Sequence, residues 1–414
     1  MEYGLIGAKL GHSFSREIHA RIADYAYELR ELTPDGVDAL MKSRDFRAIN
    51  VTIPYKETVI PYLDFVSEDA RKIGAVNTIV QRDGKLYGYN TDYAGAAALL
   101  RHAGVDVSGK KALILGTGGT SKTLRAVIRD QGAREIVVVS RTPGENEVSY
   151  TDAAALHGDA QVIANTTPVG MYPKNETCPV HLEDYPELTG VVDAVYNPLR
   201  TNLILGARQR GLPAEGGLYM LAAQAVYASA LFTGTNAEEA LIQQAYASVL
   251  AQKRNLVLIG MPSCGKTTVG RILARQTGHP LLDTDEIIAQ RAGCSIPDIF
   301  ALEGEAAFRA MEREAVAEAG KQSGVVIATG GGVPLDDRNV AALRQNGVLI
   351  FLNRPLDALQ ATPDRPLSCT VDALRKRYEE RLPRYSAVCD VRIDGSESPD
   401  DAARQVLHAI GEDE

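Results

Sequence analysis

The segment that most constrains the fold of this 414-residue chain is GMPSCGKT, at residues 260–267. It fits the pattern G-x-x-x-x-G-K-[ST], whose fixed positions are Gly260, Gly265, Lys266 and Thr267. The apolar run NLVLI precedes it, and the amphipathic run KTTVGRILARQTG overlaps its end and continues beyond it. In this setting backbone amides surround phosphates, the lysine reaches the β- and γ-phosphates, and the threonine hydroxyl binds Mg²⁺. The segment therefore predicts an α/β domain with a parallel sheet that binds a nucleotide.

A second glycine-rich loop lies earlier, in KALILGTGGTSKTLRAVI, again between an apolar run and a helical pattern. Gly116 permits a tight turn, and Gly118 and Gly119 let the backbone approach a pyrophosphate at the start of a helix. The residues that follow the next predicted strand are Ser140, Arg141 and Thr142. An NAD enzyme places an acidic side chain there, so hydroxyls and a guanidinium favour NADP(H). Plain tight turns and a solvated arginine at a strand end remain the simpler alternatives.

The composition narrows the class of protein. Hydrophobic residues make up 45% of the chain and charged residues 23%, which predicts packed cores rather than disorder. A net charge of −9 without a basic patch argues against nucleic acid or an anionic membrane as the main partner. The five cysteines form no CxxC pair, and no apolar run approaches the ~18 residues of a membrane span. We therefore expect a soluble, cytoplasmic protein that acts on small molecules.

The length of the chain predicts more than one domain. Short apolar runs alternate with longer amphipathic runs, as is typical of βαβ units and largely parallel sheets. The predicted strands are AINVTIP, KALILG, EIVVVS, QVIANT and GVVDAVY in the first part of the chain, and NLVLIG, GVVIATGGG and GVLIFLN in the last part. A helical pattern ends directly before NLVLIG without a flexible tether, so we place a domain junction near residue 252.

Polar segments interrupt the first part of the chain: GHSFS, NVTIPYK, GAVNT, GYNTDYAG, NTTPVGM, DAVYNPLRT and GGLYMLAAQA. Taken singly, each is more simply interpreted as a turn or a helix cap. Together and in this order they resemble the shikimate dehydrogenase family, over residues 1 to about 250. The two-lobed fold of that family implies a shikimate-binding α/β domain at 1–95 plus 217–250. It implies a Rossmann NADP-binding domain at 96–216.

The resemblance also implies which residues act. The residues that would surround the substrate, a cyclohexene carboxylate with hydroxyls, are Ser13, Ser15, Thr52, Asn77, Tyr196 and Gln224. Lys56 and Asp92 would be the catalytic pair, because reduction of a ketone by hydride needs a proton for the developing alkoxide. Arg16 departs from the family, since many members have proline there. Relatives that act on quinate share nearly all of these positions, so quinate stays an alternative substrate.

Further polar segments follow the phosphate loop in the last part of the chain. LLDTDEI contains Asp283 and Asp285, and alternation along a strand would turn both side chains to one side. EGEAAFRAMERE places Arg309 and Glu312 on one helix face, where a surface ion pair is the simpler interpretation. The remaining candidates are three glycines in ATGGGVP (Gly330, Gly331 and Gly332), Arg365 in PDRPLS and Arg381 in YEERLPRYS.

In sequence with the loop, these segments resemble the shikimate kinase family from about residue 254 to 414. The resemblance implies that Asp285 is the base for the substrate hydroxyl and that Asp283 lies near Mg²⁺. It implies that Arg309, Arg381 and the three glycines hold the substrate, with both guanidiniums on its carboxylate. It also implies that Arg365 reaches the transferring phosphoryl group from a lid. The lid segment LQATPDRPLSCT is short for the family.

The two resemblances concern consecutive steps on one metabolite. They predict a bifunctional enzyme that reduces 3-dehydroshikimate with NADPH and then phosphorylates shikimate at its 3-hydroxyl with ATP and Mg²⁺. One alternative is a quinate/shikimate dehydrogenase fused to a kinase for another small alcohol. A second alternative is a non-catalytic protein that senses shikimate or quinate.

Overall fold

A computed structural model describes residues 1–11, 13–359 and 371–411 of the chain. Arg365, the predicted lid residue, lies outside the described residues. The chain divides into two compact units, Met1–Leu250 and Ala251–Glu414. Across the described residues, no helix is both long and apolar enough to span a lipid bilayer.

The first unit begins with a mixed six-stranded sheet in the order β2-β1-β3-β5-β6-β4. Its strands are β1 (Tyr3–Gly7), β2 (Tyr27–Glu31), β3 (Ala48–Val51), β4 (Phe65–Val66), β5 (Thr78–Arg82) and β6 (Lys85–Tyr89). The helices between them are α1 (Ser15–Ile22), α2 (Pro34–Ser43) and α3 (Glu68–Ile73). Strand β5 runs antiparallel to both β3 and β6. The β5–β6 hairpin turns at Asp83 and Gly84, whose φ angles of 50° and 72° suit the Asp-Gly pair.

The first unit continues with a parallel six-stranded sheet in the order β12-β11-β10-β7-β8-β9. Its strands are β7 (Lys111–Leu115), β8 (Glu135–Val139), β9 (Glu147–Val148), β10 (Val162–Asn165), β11 (Gly190–Asp193) and β12 (Ala214–Glu215). The helices of this part are α4 (Thr91–Ala103), α5 (Gly119–Asp130), α6 (Tyr150–Leu156), α7 (Asn202–Gln209), α8 (Leu218–Thr233) and α9 (Glu239–Lys253). The strand order reverses between β7 and β10, where open α/β sheets bind ligands.

Both faces of this parallel sheet are buried, which explains why its strands are apolar without alternation. Ile114 and Val162 belong to a core that includes residues of α4, α5 and α8. Their neighbours along the strands, Leu113 and Ile163, belong to a second core on the opposite face.

The second unit contains a parallel five-stranded sheet in the order β14-β15-β13-β16-β17. Its strands are β13 (Asn255–Ile259), β14 (Leu281–Asp283), β15 (Val326–Ala328), β16 (Gly347–Asn353) and β17 (Val391–Asp394). Its helices are α10 (Lys266–Thr277), α11 (Thr284–Ala292), α12 (Ile296–Leu302), α13 (Gly304–Lys321), α14 (Asp337–Arg344), α15 (Val371–Val388) and α16 (Pro399–Ile410). The predicted α/β fold class is confirmed, and the antiparallel hairpin of the first sheet is an addition to it.

Candidate active sites

A cavity of about 270 Å³ opens in the first unit. The residues predicted to bind or convert the substrate all border it: Ser13, Ser15, Thr52, Lys56, Asn77, Asp92, Tyr196 and Gln224. They come from the loop after β1 and the first residue of α1, the segment after β3, the residue before β5, the first turn of α4, the loop after β11, and α8. Residues far apart in the sequence therefore meet at one place, while their individual roles stay predictions.

Lys56 and Asp92 form a close ion pair at this cavity. Lys56 Nζ lies 2.5 Å from Asp92 Oδ2, and the two side chains are 19% and 15% exposed. Partial shielding from water strengthens the attraction between the charges. The pair can hold an ammonium group at a fixed place in the cavity, where it can donate a proton to a bound substrate.

Asn77 fixes the helix turn that carries Asp92. Its Oδ1 accepts a hydrogen bond from the backbone N–H of Thr91 at 2.7 Å, and its Nδ2 donates to Thr91 Oγ1 at 3.1 Å. Asn90 caps the same helix, α4, by accepting from the backbone N–H of Tyr93 at 3.2 Å. The side chain of Asn77 therefore both borders the cavity and orients the catalytic candidate Asp92.

Asn50 also borders the cavity, and the sequence analysis did not select it. It is buried in β3, and its Nδ2 donates to Asn77 O at 3.2 Å and to Thr78 Oγ1 at 3.0 Å. Its Oδ1 accepts from Tyr27 Oη at 2.7 Å. Asn50 therefore holds Asn77 and Thr78 in place beside the cavity. A polar residue within the apolar run AINV is the sequence feature that could have indicated it.

His19 stacks on Tyr27, the residue whose hydroxyl donates to Asn50. The two ring centroids lie 3.8 Å apart, and the angle between the ring planes is 6°. His19 is fully buried, and burial lowers the pKa of its imidazole from 6.5 to about 3. Nδ1 lies 2.7 Å from Tyr25 Oη, and Nε2 has no hydrogen-bond partner among the described residues. A second ring proton would be buried without an acceptor, so the ring stays neutral in the folded protein.

Close packing positions other residues that border the cavity. Gly95 in α4 brings that helix against α8, since a Cβ at this position would lie 2.8 Å from Met220 O and 3.1 Å from Gln224 Cβ. The close approach places Gln224 and Asp92 on the same cavity. Tyr196 is held by an edge contact with Phe14, at 5.3 Å between ring centroids.

The first glycine loop joins β7 to α5. Gly116 has a φ of 104°, and a Cβ there would lie 2.9 Å from Thr166 Oγ1. Gly118 and Gly119 have no atom within 4 Å of the place a Cβ would take, so their backbone faces open space at the start of α5. The bare helix N-terminus therefore fits a pyrophosphate.

The predicted ribose-phosphate residues follow β8, the strand next to β7. Ser140 is buried, and its Oγ accepts a hydrogen bond from the backbone N–H of Thr142 at 3.3 Å. Arg141 and Thr142 are exposed beyond this turn. A guanidinium at this edge of the sheet fits a phosphate on the ribose 2′ position.

The second glycine loop joins β13 to α10 in the second unit. Lys266 is buried and donates from Nζ to Gly260 O at 3.0 Å and to Met261 O at 2.8 Å. Thr267 donates from Oγ1 to Asp283 Oδ2 at 2.7 Å. A hydroxyl and a carboxylate this close are oxygen ligands of the kind Mg²⁺ prefers.

A cavity of about 390 Å³ lies at this loop, and Lys266, Thr267, Asp283 and Asp285 are among its lining residues. The expectation that both aspartates project from one strand is wrong. Strand β14 ends at Asp283, and Asp285 lies in the first turn of α11. The reason is local: Asp283 Oδ1 caps α11 by accepting from the backbone N–H of Asp285 at 3.0 Å, which starts the helix early.

The predicted substrate residues of the second unit converge on the three glycines after β15. A Cβ on Gly330 would lie 2.6 Å from Asp285 Oδ1, and a Cβ on Gly332 would overlap the guanidinium of Arg309. Arg381 is buried and donates from Nη1 to Gly331 O at 3.1 Å. The glycines therefore allow a carboxylate and two guanidiniums to approach one stretch of backbone.

Glu312 belongs to this cluster, although its sequence spacing suggested a surface ion pair. It is 2% exposed, and Arg309 Nη1 lies 3.0 Å and 2.9 Å from its two carboxylate oxygens. Burial raises the pKa of Glu312, and Arg309 acts in the opposite direction. The buried ion pair fixes the Arg309 side chain beside Gly332. Glu312 therefore orients Arg309, a residue that is predicted to bind the substrate.

Known families match parts of both units of the chain. Residues 5–79 match the family model of the shikimate dehydrogenase substrate binding domain, and residues 262–411 match the family model of shikimate kinase. The chain is 38% identical over 262 residues to a shikimate dehydrogenase (NADP(+)) of Clostridium perfringens strain SM101. The match covers 59% of this chain and 96% of that relative.

Two solved structures are similar in fold and sequence. Shikimate dehydrogenase 1 from Peptoclostridium difficile is 34% identical with a TM-score of 0.55, and the match covers 60% of this chain and 98% of that chain. A shikimate 5-dehydrogenase from Thermus thermophilus, in complex with NADP(H) and shikimate, is 32% identical with a TM-score of 0.54. That match covers 60% of this chain and 99% of the other.

Proposed function

The chain belongs to the shikimate dehydrogenase family over its first unit and carries a shikimate kinase domain in its second, and we propose that it performs both reactions in sequence. It is thus an NADP-dependent oxidoreductase and a kinase of the shikimate pathway. The proposed steps are reduction of 3-dehydroshikimate to shikimate and phosphorylation of shikimate at its 3-hydroxyl. The observation that carries the proposal is the Lys56–Asp92 pair, at 2.5 Å within a cavity bordered by hydroxyls and amides.

When bound, NADPH would supply the hydride that the proposed reduction adds to the carbonyl carbon of the substrate. Lys56 Nζ donates a proton to the carbonyl oxygen as negative charge develops there. Asp92 holds the ammonium group in place and stabilises its charge. Asn77 and Thr52 border the cavity, and in the proposal they pair with ring hydroxyls. A ring that lacks these hydroxyls would leave the two polar groups without those contacts.

In the proposed phosphorylation, the buried Lys266 and the N-terminus of α10 neutralise charge on the ATP phosphates. Thr267 and Asp283 are the residues that would hold Mg²⁺, which offsets phosphate charge when bound. Asp285 accepts the proton of the substrate hydroxyl, and Arg309 and Arg381 pair with the substrate carboxylate. Arg365 is proposed to reach the transferring phosphoryl group.

Exchange of one lysine in each unit tests the assignment. Lys56→Ala removes the proton donor, so we expect NADPH oxidation with 3-dehydroshikimate to fall about 10²–10⁴-fold while shikimate phosphorylation is unchanged. Lys266→Ala should abolish phosphorylation and leave reduction unchanged. Each variant is the folding control for the other. Loss of both activities in either variant would refute the separate assignment of the two sites.

The alternatives give different results with the wild-type chain. A quinate/shikimate dehydrogenase would oxidise quinate with a kcat/KM comparable to that for shikimate, whereas the proposal expects shikimate to be preferred. A sensing protein would bind shikimate without turnover. The two nicotinamide cofactors can be compared in the same assay. The hydroxyls and the guanidinium after β8 favour NADP(H) over NAD(H).

A further inference from the structure

Among the described residues, three with charged side chains line the cavity of the first unit: Lys9, Lys56 and Asp92. Lys56 and Asp92 neutralise each other at 2.5 Å. The side chain of Lys9 is exposed and forms no hydrogen bond or ion pair with another described residue. The described part of the lining therefore carries the positive charge of Lys9 without a partner of opposite charge.

We propose that Lys9 determines specificity for an acid by pairing with the carboxylate of the ring substrate. The inference rests on the proposed function, since it concerns how the substrate of the reduction is recognised. Neutral hydroxyls alone leave the charge of a carboxylate uncompensated, whereas an ammonium group forms a charge-assisted hydrogen bond with it. Lys56 is bound to Asp92, so Lys9 is the lining cation available for this contact.

The position of Lys9 agrees with this role. It lies in the segment between β1 and α1 that also carries Ser13, and the hydroxyls of Ser13 and Ser15, the first residue of α1, lie 3.0 Å apart at the cavity. A carboxylate that pairs with these hydroxyls would therefore lie beside the segment that carries Lys9. Lys56 and Asp92 are then left to the reacting end of the ring.

The backbone on both sides of Lys9 is anchored. Ala8 donates from its backbone N–H to Ile53 O at 3.3 Å, and Leu10 donates to Glu31 Oε1 at 2.7 Å. Leu10 is also buried. The Cα of Lys9 is therefore held at the edge of the cavity, so that mainly the side chain has to be ordered when a substrate binds.

Kinetics of the full-length chain test the proposal with shikimate and shikimate methyl ester, each oxidised with NADP⁺. For Lys9→Gln we expect KM for shikimate to rise about tenfold, with kcat within about twofold, because the lost contact is charge-assisted but partly exposed. KM for the ester should change less than about twofold, since the ester has no carboxylate charge. Lys9→Arg should restore the KM for shikimate to within about threefold of the wild-type value, because it retains the charge.

Matched controls separate charge recognition from damage to the fold. Lys85→Gln removes an exposed lysine of β6, a strand of the sheet that also contains β1. Lys85 does not line the cavity, so the KM for shikimate should not change. Shikimate phosphorylation by the second unit should stay unchanged in every variant. An unaltered KM for shikimate in Lys9→Gln, or an equal rise for shikimate and its ester, would overturn the role of Lys9. Absence of turnover by the wild-type chain would overturn the proposed function together with this inference.

Discussion

Acidification should destabilise the first unit through His19. The imidazole is fully buried, and its pKa falls from 6.5 to about 3 because of that burial. Between these two values the unfolded chain binds a proton that the folded protein does not. The free energy of unfolding therefore decreases as the pH falls through this range.

The magnitude follows from the two pKa values. At pH 5 the unfolded imidazole is almost fully protonated and the folded one almost fully neutral. The contribution of His19 to the free energy of unfolding is then lower by about 2 kcal/mol than at pH 7. For a urea dependence of about 2 kcal/mol/M, this loss corresponds to a midpoint about 1 M lower.

Tyrosine fluorescence offers a signal from the first unit. The chain has 17 tyrosines and no tryptophan, and all tyrosines except Tyr378 and Tyr385 belong to the first unit. Urea unfolding is measured at pH 7 and pH 5 for the wild-type chain and for His19→Gln. Other groups titrate in both proteins, so the difference between them isolates the His19 contribution.

The expected result is a loss of stability on acidification that is about 2 kcal/mol smaller in His19→Gln than in the wild-type chain. His181→Gln is the matched control, because it makes the same exchange at an exposed histidine of the first unit. Equal losses in the wild-type chain and in His19→Gln would refute the argument that the buried ring excludes a proton.

Two further predictions concern the buried Asp193 and the close approach of Gly330 to Asp285. Burial raises the pKa of Asp193 from 3.8 to about 7, so its contribution to the free energy of unfolding is lost as the pH rises through that range. In the wild-type chain, Asp193 should lower the free energy of unfolding by about 3 kcal/mol between pH 5 and pH 8, measured by tyrosine fluorescence. This decline should be absent in Asp193→Asn, and a decline of the same size in the variant would contradict the prediction. Gly330→Ala places a Cβ 2.6 Å from the present position of Asp285 Oδ1. Phosphorylation should slow about 100-fold while reduction stays unchanged, and a kinase rate close to that of the wild-type chain would contradict the placement of Asp285.

The sequence predicted the fold class because both glycine loops lie between a strand and a helix, an arrangement that requires parallel sheets. It did not predict the β5–β6 hairpin, although Asp83 and Gly84 form a pair that is typical of such turns. It also misjudged Asp283 and Asp285, since hydrophobic patterning does not reveal that β14 ends after three residues.

The residues predicted to bind or convert the substrate of the first unit came from short polar segments, and these segments meet at one cavity. Other site residues could not be selected in this way, because their importance depends on packing between distant parts of the chain. Glu312 has the spacing of a surface ion pair, and only the folded unit buries it. Lys9 resembles any exposed lysine until the loop that carries it is placed beside the cavity.

The double attachment of Asn77 limits how this cavity can be redesigned. The Asn77 amide borders the cavity and also holds the helix turn that bears Asp92, the acidic member of the ion pair. A substitution of Asn77 that reshapes the cavity would thus also disturb the helix turn that positions Asp92. New substrate preferences are more readily reached by changing other positions around the rim, which leave that helix turn intact.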